Sequence, residues 1–191
     1  MGDKMKKITS LILMVIGSLL VLTNLTGCET NLMNTPTKRV ETMLNNYITL
    51  NSEVLKDLDE TLLTDTTMTT DQIDEYRNII KKLYQNMSYE IKNETIDGNN
   101  ATVETEIEVY NYKKIIDDAN TYLQNNNSEF LTNDNTIDVK KFNDYKLDML
   151  KNAKDKVTYT LNLTLKKIDD KWVLDDLTDT EISKLHGMYN Y

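Results

Sequence analysis

Residues able to do chemistry are few in this chain, and their counts decide a good deal. Among 191 residues there is one cysteine, Cys28, and one histidine, His186. A single histidine excludes a His–His metal pair, and no nucleophile or carboxylate partner for it can be picked out. Near the end of a predicted helix, His186 more simply serves the helix dipole or a surface contact. Acidic pairs occur at Asp117-Asp118, Asp169-Asp170 and Asp175-Asp176. Adjacent strand residues point to opposite faces, so such pairs do not converge on one ligand. Asp169-Asp170 suits a tight turn, where aspartate bonds its own backbone. Asp134, Thr136 and Asp138 have the alternate spacing of a calcium loop but lack its glycine and its closing glutamate. Glu104, Glu106 and Glu108 share one face of a predicted strand and read as a solvated face. No catalytic, cofactor or metal-binding residue is assigned.

Cys28 stands apart because of what precedes it. Lys6-Lys7 lead into an apolar run at 8–25 (ITSLILMVIGSLLVLTNL), followed by Thr26-Gly27-Cys28. A basic start, an apolar middle and small residues before a cut make a signal peptide. Leu25-Thr26-Gly27-Cys28 resembles the lipobox of bacterial lipoproteins of the Gram-positive type. The resemblance implies that Leu25, Thr26 and Gly27 are read by the lipoprotein signal peptidase. It also implies that Cys28 carries a diacylglycerol with palmitate-like chains and becomes the first residue. The competing reading is an uncleaved anchor, since the apolar run sits at the lower edge of the roughly 17–25 residues that span a bilayer. Asn24 and the polar stretch after Cys28 argue against it. The expected organisation is a signal peptide at 1–27, a lipidated cysteine and short tether at 28–35, and one domain at 36–191.

Charge narrows the partners. The chain carries −9 overall, and residues 28–191 hold 19 basic against 30 acidic side chains, a net −11. Such a surface repels nucleic acid, whose binding depends on Lys and Arg at phosphates. The expected partners are the membrane, through the lipid on Cys28, and an envelope protein. With one cysteine there is no intramolecular disulfide.

The elements that must position these groups read as α+β. Thr35-Pro36 opens a helix with Val40, Met43, Leu44, Tyr47 and Ile48 at helical spacing. A second short helix carries Val54, Leu58 and Leu62, with Ser52 as its cap. A third is capped by Thr70 or Asp71 and carries Ile73, Tyr76, Ile80, Leu83, Tyr84 and Met87 on one face. The period then changes to two. A strand from Tyr89 ends at Asp97-Gly98-Asn99-Asn100, a hairpin signal. Residues 101–112 continue with Ala101, Val103, Thr105, Ile107 and Val109 on one face. Residues 113–156 return to helix, interrupted by an Asn-rich loop. Residues 157–168 alternate again, turn at Asp169-Asp170-Lys171 and pair back through Trp172-Val173-Leu174. Thr178 and Glu181 have capping-box spacing before a last helix. Helices are thus expected on one face of an antiparallel sheet of two hairpins, with a helical insertion between them.

The N-terminal helices, the hairpin YEIKNETIDGNNATVETEIEVYNY and the closing KKIDDKWVLDDL resemble the extracytoplasmic lipoprotein domains of the nuclear transport factor two-like, or cystatin-like, cone fold. The helical stretch at 113–156 is longer than that family's usual connection. The resemblance implies a non-enzymatic binding or interaction module of the cell envelope on the outer face of the membrane. The alternative is a small-ligand binder or enzyme using a cone pocket, as in the ketosteroid isomerase branch. That branch needs an aspartate base and an acid pair aimed into the pocket. The core-facing series here is Val, Ile, Leu and Tyr, and the 11 tyrosines could line such a pocket.

Overall fold

The structure, a computed structural model, describes residues 34–190. Helix α1 (Pro36–Ile48) starts as the dipeptide demands: the Thr35 side chain accepts from the Lys38 amide, and Pro36 occupies the first turn. Helix α2 (Ser52–Leu62) is capped by Asn51, not Ser52, because the Asn51 carbonyl reaches the Glu53 amide. Helix α3 (Thr70–Gln85) is capped by Thr69, ahead of both expected caps. Thr69 and Gln72 form a reciprocal capping box that outcompetes Thr70 and Asp71.

Strands β1 (Ser88–Asp97), β2 (Asn100–Tyr110), β3 (Lys156–Ile168) and β4 (Lys171–Leu174) form one antiparallel sheet in the order β1-β2-β3-β4. The period-two reading holds along β2 and β3, whereas β1 carries a register shift between Ile91 and Asn93. Val103 faces Leu163 and Ile107 faces Tyr159 across the β2–β3 ladder, all on the buried side. Gly98, with φ +59°, supplies the left-handed residue of the first hairpin turn. Asp169 and Asp170, at φ +49° and +60°, make the second a two-residue turn whose twist matches its strands.

Between β2 and β3 the chain forms α4 (Tyr112–Asn125), a 3-10 turn at Asn127–Phe130, and α5 (Val139–Lys151). Helix α6 (Asp179–Leu185) closes the fold with the expected Thr178/Glu181 capping box. The fold is therefore α+β, with helices on one sheet face and the helical insertion joining the two hairpins. The main core lies between the sheet and α1, α3 and α6, around Leu44, Leu83, Val103, Ile107 and Leu161. A second, smaller core fills the insertion, built from Ala119, Leu123, Phe130 and Phe142.

Candidate functional site

The residues with an assigned role, Leu25, Thr26, Gly27 and Cys28, lie outside the described residues. What the structure does show is where the chain emerges from them. The Asn34 side chain donates to the Asp170 carbonyl at 2.7 Å and accepts from the Trp172 amide at 3.0 Å. Three residues on, Glu94 of β1 accepts from the Thr37 amide and hydroxyl at 2.9 and 2.7 Å. Its negative charge suits the first turn of α1. Asn34, inside the stretch read as tether, is thus itself docked. The two hairpin turns sit side by side here, joined by the Lys167 amide on the Asn99 carbonyl at 2.7 Å.

His186 is not at the surface, as its helix-end position suggested, but buried at 4% exposure. The last turn of α6 faces inward, and Gly187 bends the chain away at φ +65°, where a Cβ would strike the Tyr110 carbonyl oxygen. Nδ1 lies 2.8 Å from the Ile182 carbonyl, and Nε2 lies 2.8 Å from the Tyr84 hydroxyl. The carbonyl can only accept, so Nδ1 carries the proton and Nε2 accepts from Tyr84. Burial lowers the imidazole pKa and keeps it neutral. Burial also raises the Tyr84 hydroxyl well above its ordinary value, so this partner stays protonated. Tyr47 packs edge-on against Tyr84 at 5.0 Å. This pair has the elements of an acid–base couple, but it is sealed inside the core and positions α6 on α3.

Lys146 is the group that sequence reasoning missed. It is 2% exposed, with Nζ 4.6 Å from the centre of the Phe142 ring. Burial pushes its pKa down to about 8, opposed by the Asp65 carboxylate. Asp65 Oδ1 accepts from the Thr67 amide and hydroxyl at 2.6 and 2.7 Å, while Oδ2 is buried with no hydrogen-bond partner among the described residues. A readable signal existed, because Lys146 lies four residues from both Phe142 and Leu150, on the apolar stripe of α5.

The acidic residues are dispersed. Asp117 and Asp118 pair with Lys113 and Lys114 along α4, at 2.5 and 2.7 Å. Asp175 binds Thr164 and Lys166. Glu106 and Glu108 on the outer sheet face meet Lys92 and Lys156. Asp138 caps α5 by accepting from the Lys141 amide at 3.0 Å, and Thr136 bonds Thr132. Among the described residues no group of three or more His, Cys, Asp or Glu is placed to hold a metal ion. The tyrosines divide between two structural roles. Tyr112 donates to the Ile79 carbonyl at 3.2 Å and Tyr159 to the Tyr189 carbonyl at 2.9 Å, whereas Tyr122 and Tyr145 stack in the insertion. On the inner sheet face Val103, Ile107 and Leu161 are fully covered, and so is Thr105, whose hydroxyl has no hydrogen-bond partner among the described residues.

No family model matches the chain. No curated protein matches it either. Among solved structures it is similar to the crystal structure of a candidate lipoprotein, ycdA, from Bacillus subtilis, with 18% identity and a TM-score of 0.37. The similarity covers 91% of this chain and 53% of that one, so the chain spans about half the length of its neighbour. Among the described residues no helix is long and apolar enough to cross a membrane.

Proposed function

We propose that this protein is a lipid-anchored lipoprotein of the outer face of the cell membrane, held there by an acylated Cys28. The observation that carries the reading is the sequence Leu25-Thr26-Gly27-Cys28 at the end of a basic-then-apolar leader, with Cys28 the single cysteine of the chain. The α+β domain behind it is a binding or interaction module of the envelope, related to the cone-fold lipoprotein domains. Two features support that reading over an enzyme in a cone pocket. The inner sheet face is covered mainly by aliphatic side chains, with Thr105 and Tyr159 among them, and His186 spends both ring nitrogens on internal hydrogen bonds.

The anchor is tested by metabolic labelling with palmitate. Wild type should take up label and sediment with membranes, and Cys28→Ala should lose both properties. A labelled Cys28→Ala protein would overturn the assignment. For the module, cross-linking in intact cells should capture an envelope protein on the wild type. A defined small molecule co-purifying in place of a partner would favour the pocket reading instead.

A further inference from the structure

The end of the sheet that carries both hairpin turns has three properties that belong together. It is where the chain arrives from Cys28, because Asn34 is clamped to Asp170 and Trp172. It exposes two large aliphatic side chains, Ile168 at 54% and Ile96 at 51%. The pairing register puts them on opposite faces, since Ile96 aligns with Ala101 and so with buried Leu165, three residues before Ile168. Each face of this end therefore carries one exposed isoleucine, beside the polar turns Asp97–Asn100 and Asp169–Lys171. Its charge also differs from the rest of the domain. Lys166, Lys167 and Lys171 balance Asp97, Asp169 and Asp170 there, in a domain that is strongly acidic overall, and Lys166 also pairs with Asp175 and Lys167 with Asp170.

From these observations we infer that the hairpin-turn end of the sheet rests on the bilayer surface, with Ile168 at the lipid interface. The inference rests on the lipoprotein reading above and adds an orientation to it. From Cys28 to Asn34 an extended chain reaches about 20 Å at most. Strand β3, with 13 residues, spans about 40 Å. The tether therefore keeps the turn end near the membrane and leaves the far end of β3 free to stand away from it. Lying flat on the outer face would bring Glu104, and Glu108 with its Lys156 partner, against anionic head groups, which electrostatics disfavours. An upright domain exposes neither glutamate to that surface. Lys166, Lys167 and Lys171 then stand at head-group level together with Asp169 and Asp170, and Ile168 lies at the polar–apolar boundary.

The single tryptophan, Trp172, sits in this end of the sheet and is a native reporter. Full-length, lipidated protein would be reconstituted in phosphatidylcholine–phosphatidylglycerol vesicles with a fraction of lipid bearing a head-group nitroxide, a short-range quencher. Trp172 emission should be quenched severalfold more than that of a tryptophan at the opposite end, introduced as Lys154→Trp in a Trp172→Phe background. Ile168→Asp should lower the quenching of Trp172. Equal quenching at the two ends, or none at either on lipidated protein, would overturn the orientation and leave the anchor standing. Absence of lipid on the N-terminal peptide by mass spectrometry would overturn the anchor, and the orientation with it. A dimer that shields Ile168 on vesicles, with Trp172 unquenched, also overturns the orientation.

Discussion

The sheet core and the core of the helical insertion solve the same packing problem with different materials. Under the sheet, aliphatic residues recur every second position and face α1, α3 and α6, so one long ladder aligns most of the core. In the insertion, Phe130 and Phe142 meet edge-on at 5.4 Å, Tyr122 stacks on Tyr145 at 5.0 Å, and a buried lysine completes the layer. The insertion meets α3 and the loop before it through Leu147 and Leu150, which lie in the main core, and through polar links. Gln72 donates to the Lys140 carbonyl at 2.9 Å and to Asp144 at 2.6 Å, and Asn143 donates to the Thr67 carbonyl at 3.2 Å. Aliphatic interdigitation couples a whole sheet, whereas an aromatic cluster behind hydrogen bonds can open on its own.

The largest expected effect tests that separation. Phe142→Ala should cost about 3–5 kcal/mol and Leu161→Ala about 2–5 kcal/mol. By amide hydrogen exchange, Phe142→Ala should lower protection through α4 and α5 while β2 and β3 stay protected. Leu161→Ala should lower all of them together. Uniform loss in Phe142→Ala would show that the two cores unfold as one unit and would break the comparison.

A smaller effect is expected at the seam between α6 and α3. Tyr84→Phe leaves His186 Nε2 buried without its donor and should cost about 1–3 kcal/mol, read from urea midpoints. The same site predicts acid sensitivity. Burial lowers the His186 pKa below its ordinary 6.5, so the folded state binds fewer protons than the unfolded one. The contribution is complete above pH 6.5 and is lost as pH falls below it. His186→Asn should flatten that acid limb, and an unchanged limb would remove His186 as its cause.

The smallest effect should come from Lys146, whose removal should stabilise the fold. Its pKa is lowered to about 8, so between there and its ordinary 10.5 the unfolded state holds the extra proton. Stability should therefore rise with pH above about 8 until the tyrosines begin to ionise. Lys146→Met keeps the volume, removes the buried charge and should gain about 1 kcal/mol at neutral pH. It should also abolish the rise. A destabilised Lys146→Met would mean that attraction to Asp65 and the Phe142 ring outweighs desolvation.

Legibility followed the range of the forces involved. Strands β2 and β3 were readable because side-chain alternation is a property of each strand alone, as were the two hairpin turns and the Thr178/Glu181 capping box. Cap positions were harder where neighbours compete: Thr69 against Thr70 and Asp71, and Asn51 against Ser52. There a residue's type says it can cap, and only the geometry of the arriving chain selects one. His186 was misread because its position in α6 says nothing about which side of the helix end will be covered.

By itself the sequence determined the one-sided sheet and the helical insertion, since each rests on a contiguous pattern of polarity; the proposal that Cys28 is lipidated rests on the sequence alone. Tertiary structure alone decided the neutral, buried state of His186, whose donor Tyr84 lies 102 residues away. It also decided the burial of Lys146 beneath the loop carrying Asp65, and the docking of Asn34 onto Trp172, 138 residues on. In each case the deciding partner is remote along the chain, and it meets its residue only when the helices close over the sheet.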